Sequence, residues 1–313
     1  MKVVTTKIGG RRGFHSMTMQ YLGFTLELKE DERLVLDLYG NENAYQDNLT
    51  NKNTWGQWFV QEDWTEDEVV REVGSIHHGS SIGAWLRDVD RFVYHLIMKK
   101  HLVVRDHILE KVKTFKATYF GDSKVLGVHI RGNEIFSDNT RPKLSFNYYK
   151  HKIDLYLEKE HFDKILVCSD QIHTINKLKN IYGEKIITYP SLPYSSNGSH
   201  DFVYSKITPN EGYIRGEDVL VESILLAETT FLLKPLSGMT NFSLIYNPEL
   251  QYCDIDFPFY DIKDYSSGKP PFLEHICKYE DDFSIFREEI KNFEDTLPTI
   301  QAIDRVAFIQ SYL

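Results

Sequence analysis

The chain has 313 residues and a mass of 36.7 kDa, room for two domains of ordinary size, with 42% hydrophobic and 13% aromatic residues. Its formal net charge of −10 and pI of about 5.7 exclude attachment to nucleic acid or anionic lipid through the bulk field, and leave a local basic pocket for a small anion open. Three cysteines, Cys168, Cys253 and Cys277, without C-x-x-C spacing, argue against a disulfide framework or zinc knuckle and for a reducing compartment.

No stretch approaches the roughly 18 apolar residues of a membrane span, and the first ten residues, MKVVTTKIGG, lack a signal-peptide core. The expectation is a soluble cytoplasmic protein with no nucleic-acid partner and no integral membrane segment.

Residues 3–8 read as a β-branched strand, and residues 14–28 as a helix through Met17, Tyr21, Phe24 and Leu28. Between them lies a basic glycine turn, Gly9-Gly10-Arg11-Arg12-Gly13, with His15 just beyond it. Strand, glycine turn and helix leave backbone N–H groups free for an anion. G-G-x-x-G is not the full dinucleotide fingerprint, so a close-packed turn fits as well as an anion site. Residues 34–38 form a second strand. Residues 40–64 are irregular and rich in amides and aromatics, among them Tyr45, Trp55, Trp58, Phe59 and Trp64. Such a stretch suits sugar recognition, and equally a loop packed over a core. His77-His78 has no partner at metal spacing, and no metal is expected.

Helices are expected over residues 82–100 and 106–116. From residue 125 the pattern changes to short apolar strands over 125–131, 164–170, 185–190 and 230–235, separated by helical stretches over 145–159, 172–182 and 217–228. This alternation predicts a parallel sheet with helices on both faces. The polar loop 190–213 is long enough to serve as a lid or binding loop. The tail, 281–313, ends in a helical pattern with Ile300, Ile303, Val306 and Ile309.

Ligands in such sheets bind beyond the carboxyl ends of the strands. Three polar elements fall there: His129 with Arg131, Ser169-Asp170, and the run from Lys234 to Asn241. Arg131 offers a planar, permanently charged fork suited to phosphate. Backbone N–H groups at Ser237, Gly238, Met239 and Thr240, with the Ser237 and Thr240 hydroxyls, suit the other side of a pyrophosphate. Glu222 is placed to accept hydrogen bonds from a guanine N–H edge. Asp170, Glu217 and Glu222 also fit carboxylates favoured at helix starts by the macrodipole.

Taken in order, Gly127-Val128-His129-Ile130-Arg131, Ser169-Asp170, Leu220-Val221-Glu222-Ser223-Ile224-Leu225-Leu226-Ala227 and Phe231-Leu232-Leu233-Lys234-Pro235-Leu236-Ser237 resemble the motifs of the inverting fucosyltransferase superfamily. The α1,6-fucosyltransferases of nodulation and N-glycan core type are most similar, over about residues 96–246. The resemblance implies an α/β, GT-B-like fold: two Rossmann-like domains with a cleft between them. It divides the chain into an acceptor-side domain, 1–121, a nucleotide-sugar domain, 122–280, and a helical segment, 281–313, packed back on them.

It further implies that GDP-fucose and a glycan acceptor are the partners, with no cofactor or metal. Arg131 would meet the β-phosphate and His129, Asp170 and Glu222 the donor. Ser237, Gly238, Met239 and Thr240 would meet the phosphates, with Gly10, Gly13 and His15 on the N-terminal side of the cleft. The acceptor's base would be Asp138 or Glu134, since Asn139 stands at the matching acidic position. Gly132 follows Arg131 where core-type enzymes carry a second arginine. The expected reaction is a single in-line displacement with inversion. A transferase using another nucleotide sugar, and a non-catalytic glycan-binding relative, are the alternatives.

Overall fold

The computed structural model describes residues 2–6, 13–25, 28–36, 38, 45, 53–73, 88–131, 146–191, 211–235 and 237–255. Gly10, Glu134, Asp138, His77-His78, most of the 190–213 loop and the 281–313 tail lie outside them. The architecture is α/β with two parallel sheets. In the first sheet β1 (Lys2–Thr6) is flanked by β2 (Glu32–Leu36) and β3 (Val69–Glu72), in the order β2-β1-β3. The second contains β4 (Val125–Ile130), β5 (Lys164–Ser169), β6 (Ile186–Ile187), β7 (Phe231–Lys234) and β8 (Gln251–Asp254), in the order β6-β5-β4-β7-β8. Counted within that sheet the order is 3-2-1-4-5, the Rossmann arrangement, whose direction of winding reverses between β4 and β7.

The strands of the second sheet alternate their side chains between two covers. Leu126, Val128, Ile130, Ile165, Val167, Leu233 and Cys253 pack with Tyr149, Ile153 and Tyr156 of α5 (Phe146–Lys159) and Leu178 of α6 (Ile172–Tyr182). Val125, Leu166, Cys168, Leu232 and Tyr252 face the other way, into a larger cluster built on α7 (Glu211–Ala227) and α8 (Gly238–Tyr246). That cluster also takes in Val4, Leu34 and Leu36 of the first sheet, so one apolar core runs from sheet to sheet.

The bridge is α1 (Phe14–Thr25). Ten of its 12 residues are buried, because it touches β2, α8 and α3 (Asp88–His101) at once. A helix covered on every side needs no single apolar stripe. Gly121, at φ 53, turns the chain after α4 (Asp106–Phe115) and a short π-turn into β4.

Several expectations are corrected. Of the two readings of the aromatic stretch, packing in the core holds for Trp55, Trp58 and Phe59: the tryptophans lie in a short helix, α2 (Trp55–Trp58), and with Phe59 are at most 1% exposed. Their rings pack on Tyr21, Phe14 and one another. Strands β3 and β8 were not anticipated. The helix expected from residue 217 begins at Glu211, so Gly216, Glu217 and Glu222 lie in its interior, beyond the free N–H groups of its first turn. Gly216 is tolerated there because a Cβ would fall 2.4 Å from Trp58 Cζ2.

Candidate functional site

The site grows from the reversal point between β4 and β7. Gly127 of the G-V-H-I-R run is explained by packing alone, since a Cβ there would meet Thr229 Oγ1 at 2.7 Å. His129 follows on the same face. Register sets it opposite Cys168 on β5, and one step past the Val128–Leu233 pair it neighbours Lys234 on β7. Lys234 in turn pairs with Asp254 on β8. A polar row, Cys168–His129–Lys234–Asp254, therefore crosses the carboxyl edge of the sheet on one face.

Within the row Lys234 Nζ is ion-paired with Asp254 Oδ1, both side chains at most 6% exposed, and lies 5.3 Å from the Tyr252 ring centroid. His129 is 7% exposed, and its Nδ1 has no hydrogen-bond partner among the described residues. Burial first, then the charges of Arg131 and Lys234, and then His15, hold its pKa down to about 3, so the ring is a neutral imidazole. Arg131 is the first residue past β4, half-buried, and its backbone N–H donates to Tyr149 Oη at 3.4 Å.

The opposite wall is the start of α8. Ser237 is its N-cap: its Oγ accepts from Met239 N–H at 3.3 Å. Thr240 is buried and turned inward, its hydroxyl directed at Pro235 O (3.3 Å) and Ser237 O (3.1 Å). Its one hydroxyl proton is used in shaping the turn. A Cβ on Gly238 would stand 3.3 Å from His15 Cβ, so this glycine lets α8 close on α1.

His15, expected beside an open cleft, is 4% exposed. His15 Nε2 lies 2.5 Å from Ser223 Oγ, and its Nδ1 lies 3.3 Å from Thr18 Oγ1. Burial lowers its pKa to about 3, against the opposing backbone contact at Val219. It joins α1 to α7 directly behind the site. Gly13 stands just before α1, its carbonyl accepting from Ser16 N–H at 2.9 Å.

Glu222 is the electrostatic outlier. It is 5% exposed, and its Oε1 accepts from Ser191 Oγ at 3.4 Å. Burial, then Asp218 one turn earlier and Asp170 past β5, push its pKa up to about 8, with Ser191 opposing. At neutral pH it is a carboxylic acid. Cys168 beneath it is held a thiol by burial and by the Glu222 charge. Asp254 went unnoticed in the sequence, and Asp218 and Ser191 were not singled out as site residues. Only Asp218 left a signal there, its i−4 spacing from Glu222 on a helix. Among the described residues no group of three or more His, Cys, Asp or Glu is placed to hold a metal ion, and no helix is long and apolar enough to cross a membrane.

Fold and reversal point define an α/β fold of the GT-B fucosyltransferase-like type. Two structures of the fucosyltransferase NodZ from Bradyrhizobium match it. One has a TM-score of 0.51 at 13% identity, covering 77% of this chain and 91% of that one. The other has a TM-score of 0.52 at 12% identity, covering 84% and 95%. A NodZ α1,6-fucosyltransferase co-crystallised with GDP matches at a TM-score of 0.49 and 12% identity, covering 77% and 91%. No family model and no curated protein matches the chain.

Proposed function

We propose that the chain is a glycosyltransferase that moves fucose from GDP-fucose to a glycan hydroxyl with inversion and without a metal. One observation carries the reading. At the reversal point of a Rossmann-ordered sheet, in a fold shared with NodZ, a guanidinium at the end of β4 and a capped helix start after β7 flank a buried, neutral, unpartnered imidazole. In this reading Arg131 meets the charge that develops on the β-phosphate as the C–O bond breaks. The Ser237 hydroxyl and the start of α8 hold the phosphates, and His129 Nδ1 accepts a hydrogen bond from the donor. Glu222 reads the base, with Asp170 beside it. Asp138 or Glu134 takes the acceptor proton. The acceptor enters from a unit formed by residues 1–121, facing the nucleotide unit 122–280, in the cytoplasm.

Calorimetric titration with GDP, GDP-fucose, GDP-mannose and UDP in EDTA, beside Arg131→Ala, tests this. The expected result is GDP binding that survives EDTA and is lost in the variant, whose transfer rate falls by about 10²–10³, the range for losing a preorganised donor to a developing charge. Tighter binding of GDP-fucose than of GDP-mannose then identifies the sugar. Absence of nucleotide binding, or an Arg131→Ala protein that binds GDP as wild type does, overturns the proposal.

A further inference from the structure

We propose that the Lys234–Asp254 pair is an oriented charge couple whose positive end draws a nucleoside diphosphate into the site, so that Lys234 acts beside Arg131 in setting the preference for a diphosphate-bearing ligand. The inference deepens the nucleotide reading above, which leaves both residues of the pair without a role, and rests on it. Its basis is the order of the strands at the carboxyl edge of the second sheet.

Across that edge come His129 on β4, Lys234 on β7 and Asp254 on β8, all on one face. The winding reverses between β4 and β7, so the ammonium stands on the side of the couple toward the reversal point and the carboxylate on the far side. Lys234 is among the charges that act on the His129 ring, and Asp254 is not. An ammonium has three N–H donors, and among the described residues Lys234 uses one, on Asp254 Oδ1, with the Tyr252 ring centroid 5.3 Å away. His129 Nδ1, buried beside it, has no partner. The start of α8 lies over the same strand end. Thr240 Oγ1 is 3.3 Å from Pro235 O, directly after Lys234, and Ser237 caps the helix.

Stability gives no reason for charges here. Both are taken out of water, one hydrogen bond joins them, and two apolar side chains of similar volume pack as well or better in such a place. What the couple supplies is a fixed field. Inside a protein a charge acts at an effective dielectric constant of about 20, so the nearer ammonium outweighs the farther carboxylate at a group held between Arg131 and the start of α8. The strand end is pinned, Ile255 N–H donating to Lys234 O at 2.9 Å, and the field needs no reorganisation when charge arrives. For a diphosphate this amounts to about tenfold in affinity, whereas a neutral nucleoside feels almost none of it. Arg91 of α3 also reaches the Tyr252 ring, at 5.4 Å, and its charge is common to every variant below and cancels.

The test is calorimetry with GDP, and with guanosine by displacement of GDP, on wild type and three variants that change only the couple. Lys234→Met/Asp254→Leu removes both charges and keeps an apolar pair. It is expected to bind GDP about tenfold more weakly and guanosine as wild type does. Lys234→Asp/Asp254→Lys turns the couple round, and its loss is expected to reach about a hundredfold. Asp254→Asn removes the negative end alone, and GDP affinity is expected to rise several-fold. Three results each overturn this inference and leave the nucleotide reading standing: a neutral pair that binds GDP as tightly as wild type, a reversed pair no weaker than the neutral one, or equal losses for GDP and guanosine, as a purely structural role gives. Where the double variants fail to fold, Asp254→Asn decides alone, and GDP binding unchanged or weakened there overturns the inference. A wild-type protein that binds no GDP removes both.

Discussion

The two sides of α7 treat a buried carboxyl in opposite ways. Glu217 and Glu222 are five residues apart, about 140° around the helix, and each is at most 5% exposed. Glu217 faces α4, where Lys111 Nζ pairs with it, His107 Nε2 lies at 3.1 Å and Tyr213 Oη donates at 2.7 Å. Burial works against its charge, yet Lys111, Tyr213 and His107 hold its pKa below the usual carboxyl range. Glu222 faces the carboxyl edge of the sheet, where two more carboxylates surround it, and its pKa rises to about 8. A buried charge with partners stabilises a joint, and one placed among like charges is maintained at the expense of stability. The same helix therefore serves packing on one side and a site on the other.

The largest expected effect tests the site side. The folded-state pKa of Glu222 lies above its ordinary value of 4.5, so the stability it contributes is complete below pH 4.5 and is lost as pH rises toward 8. Glu222→Gln removes the ionisable group and with it that loss. The variant is expected to be more stable than wild type at pH 9 by roughly 3 kcal/mol, with the difference shrinking toward pH 5. Urea melts at the two pH values measure it. A variant less stable than wild type at pH 9 would show Glu222 to be a partnered charge like Glu217.

The opposite sign is expected on the other side, and a smaller size. The lowered pKa of Glu217 means that its contribution is present above its unfolded value of 4.5 and disappears as pH falls through the folded one. Lys111 and His107 are nearly half exposed, which screens the pair. Glu217→Gln is expected to cost about 1 kcal/mol at pH 7 and nothing once the wild-type carboxyl is protonated. A cost that persists unchanged into acid would assign the contact to packing, not charge.

How far the sequence foretold this contrast depends on where each signal is stored. Strands β4, β5 and β7 and α6 were legible to within a residue or two, because apolar runs and polar breaks are local. Strand β3 was not: its half-exposed pattern over Val69–Glu72 leaves no apolar face to read. Strand β8 has only four residues, and the reason for Asp254 is Lys234, a strand away in space and 20 residues away in sequence. Glu217 suggested a helix start, although Gly216 before it lies inside the helix and answers Trp58 packed against it. Trp55, Trp58 and Phe59 satisfied a sugar-binding pattern and a core equally well, and burial decided. The motif around Glu222 was visible as a resemblance, whereas its protonation depends on burial first, then on Asp218 and on Asp170 brought in by another element, against the Ser191 hydrogen bond.

At Gly238 packing and candidate site meet in a single residue, and it carries the smallest expected effect. If its role were close approach of the backbone to a phosphate, Gly238→Ala would weaken GDP binding more than it weakened the fold. The missing Cβ instead faces His15 Cβ at 3.3 Å and the α1 backbone at 3.5 and 3.6 Å. His15 is held by Ser223 and has little room to yield. Part of the overpacking cost is offset by the better helix propensity of alanine. The net expectation is a loss of about 1 kcal/mol in chemical denaturation, with GDP affinity changed less than about threefold. A gain in stability would mean that α1 gives way easily, and that α8 is keyed to the first sheet less firmly than α7 is through His15 and Ser223.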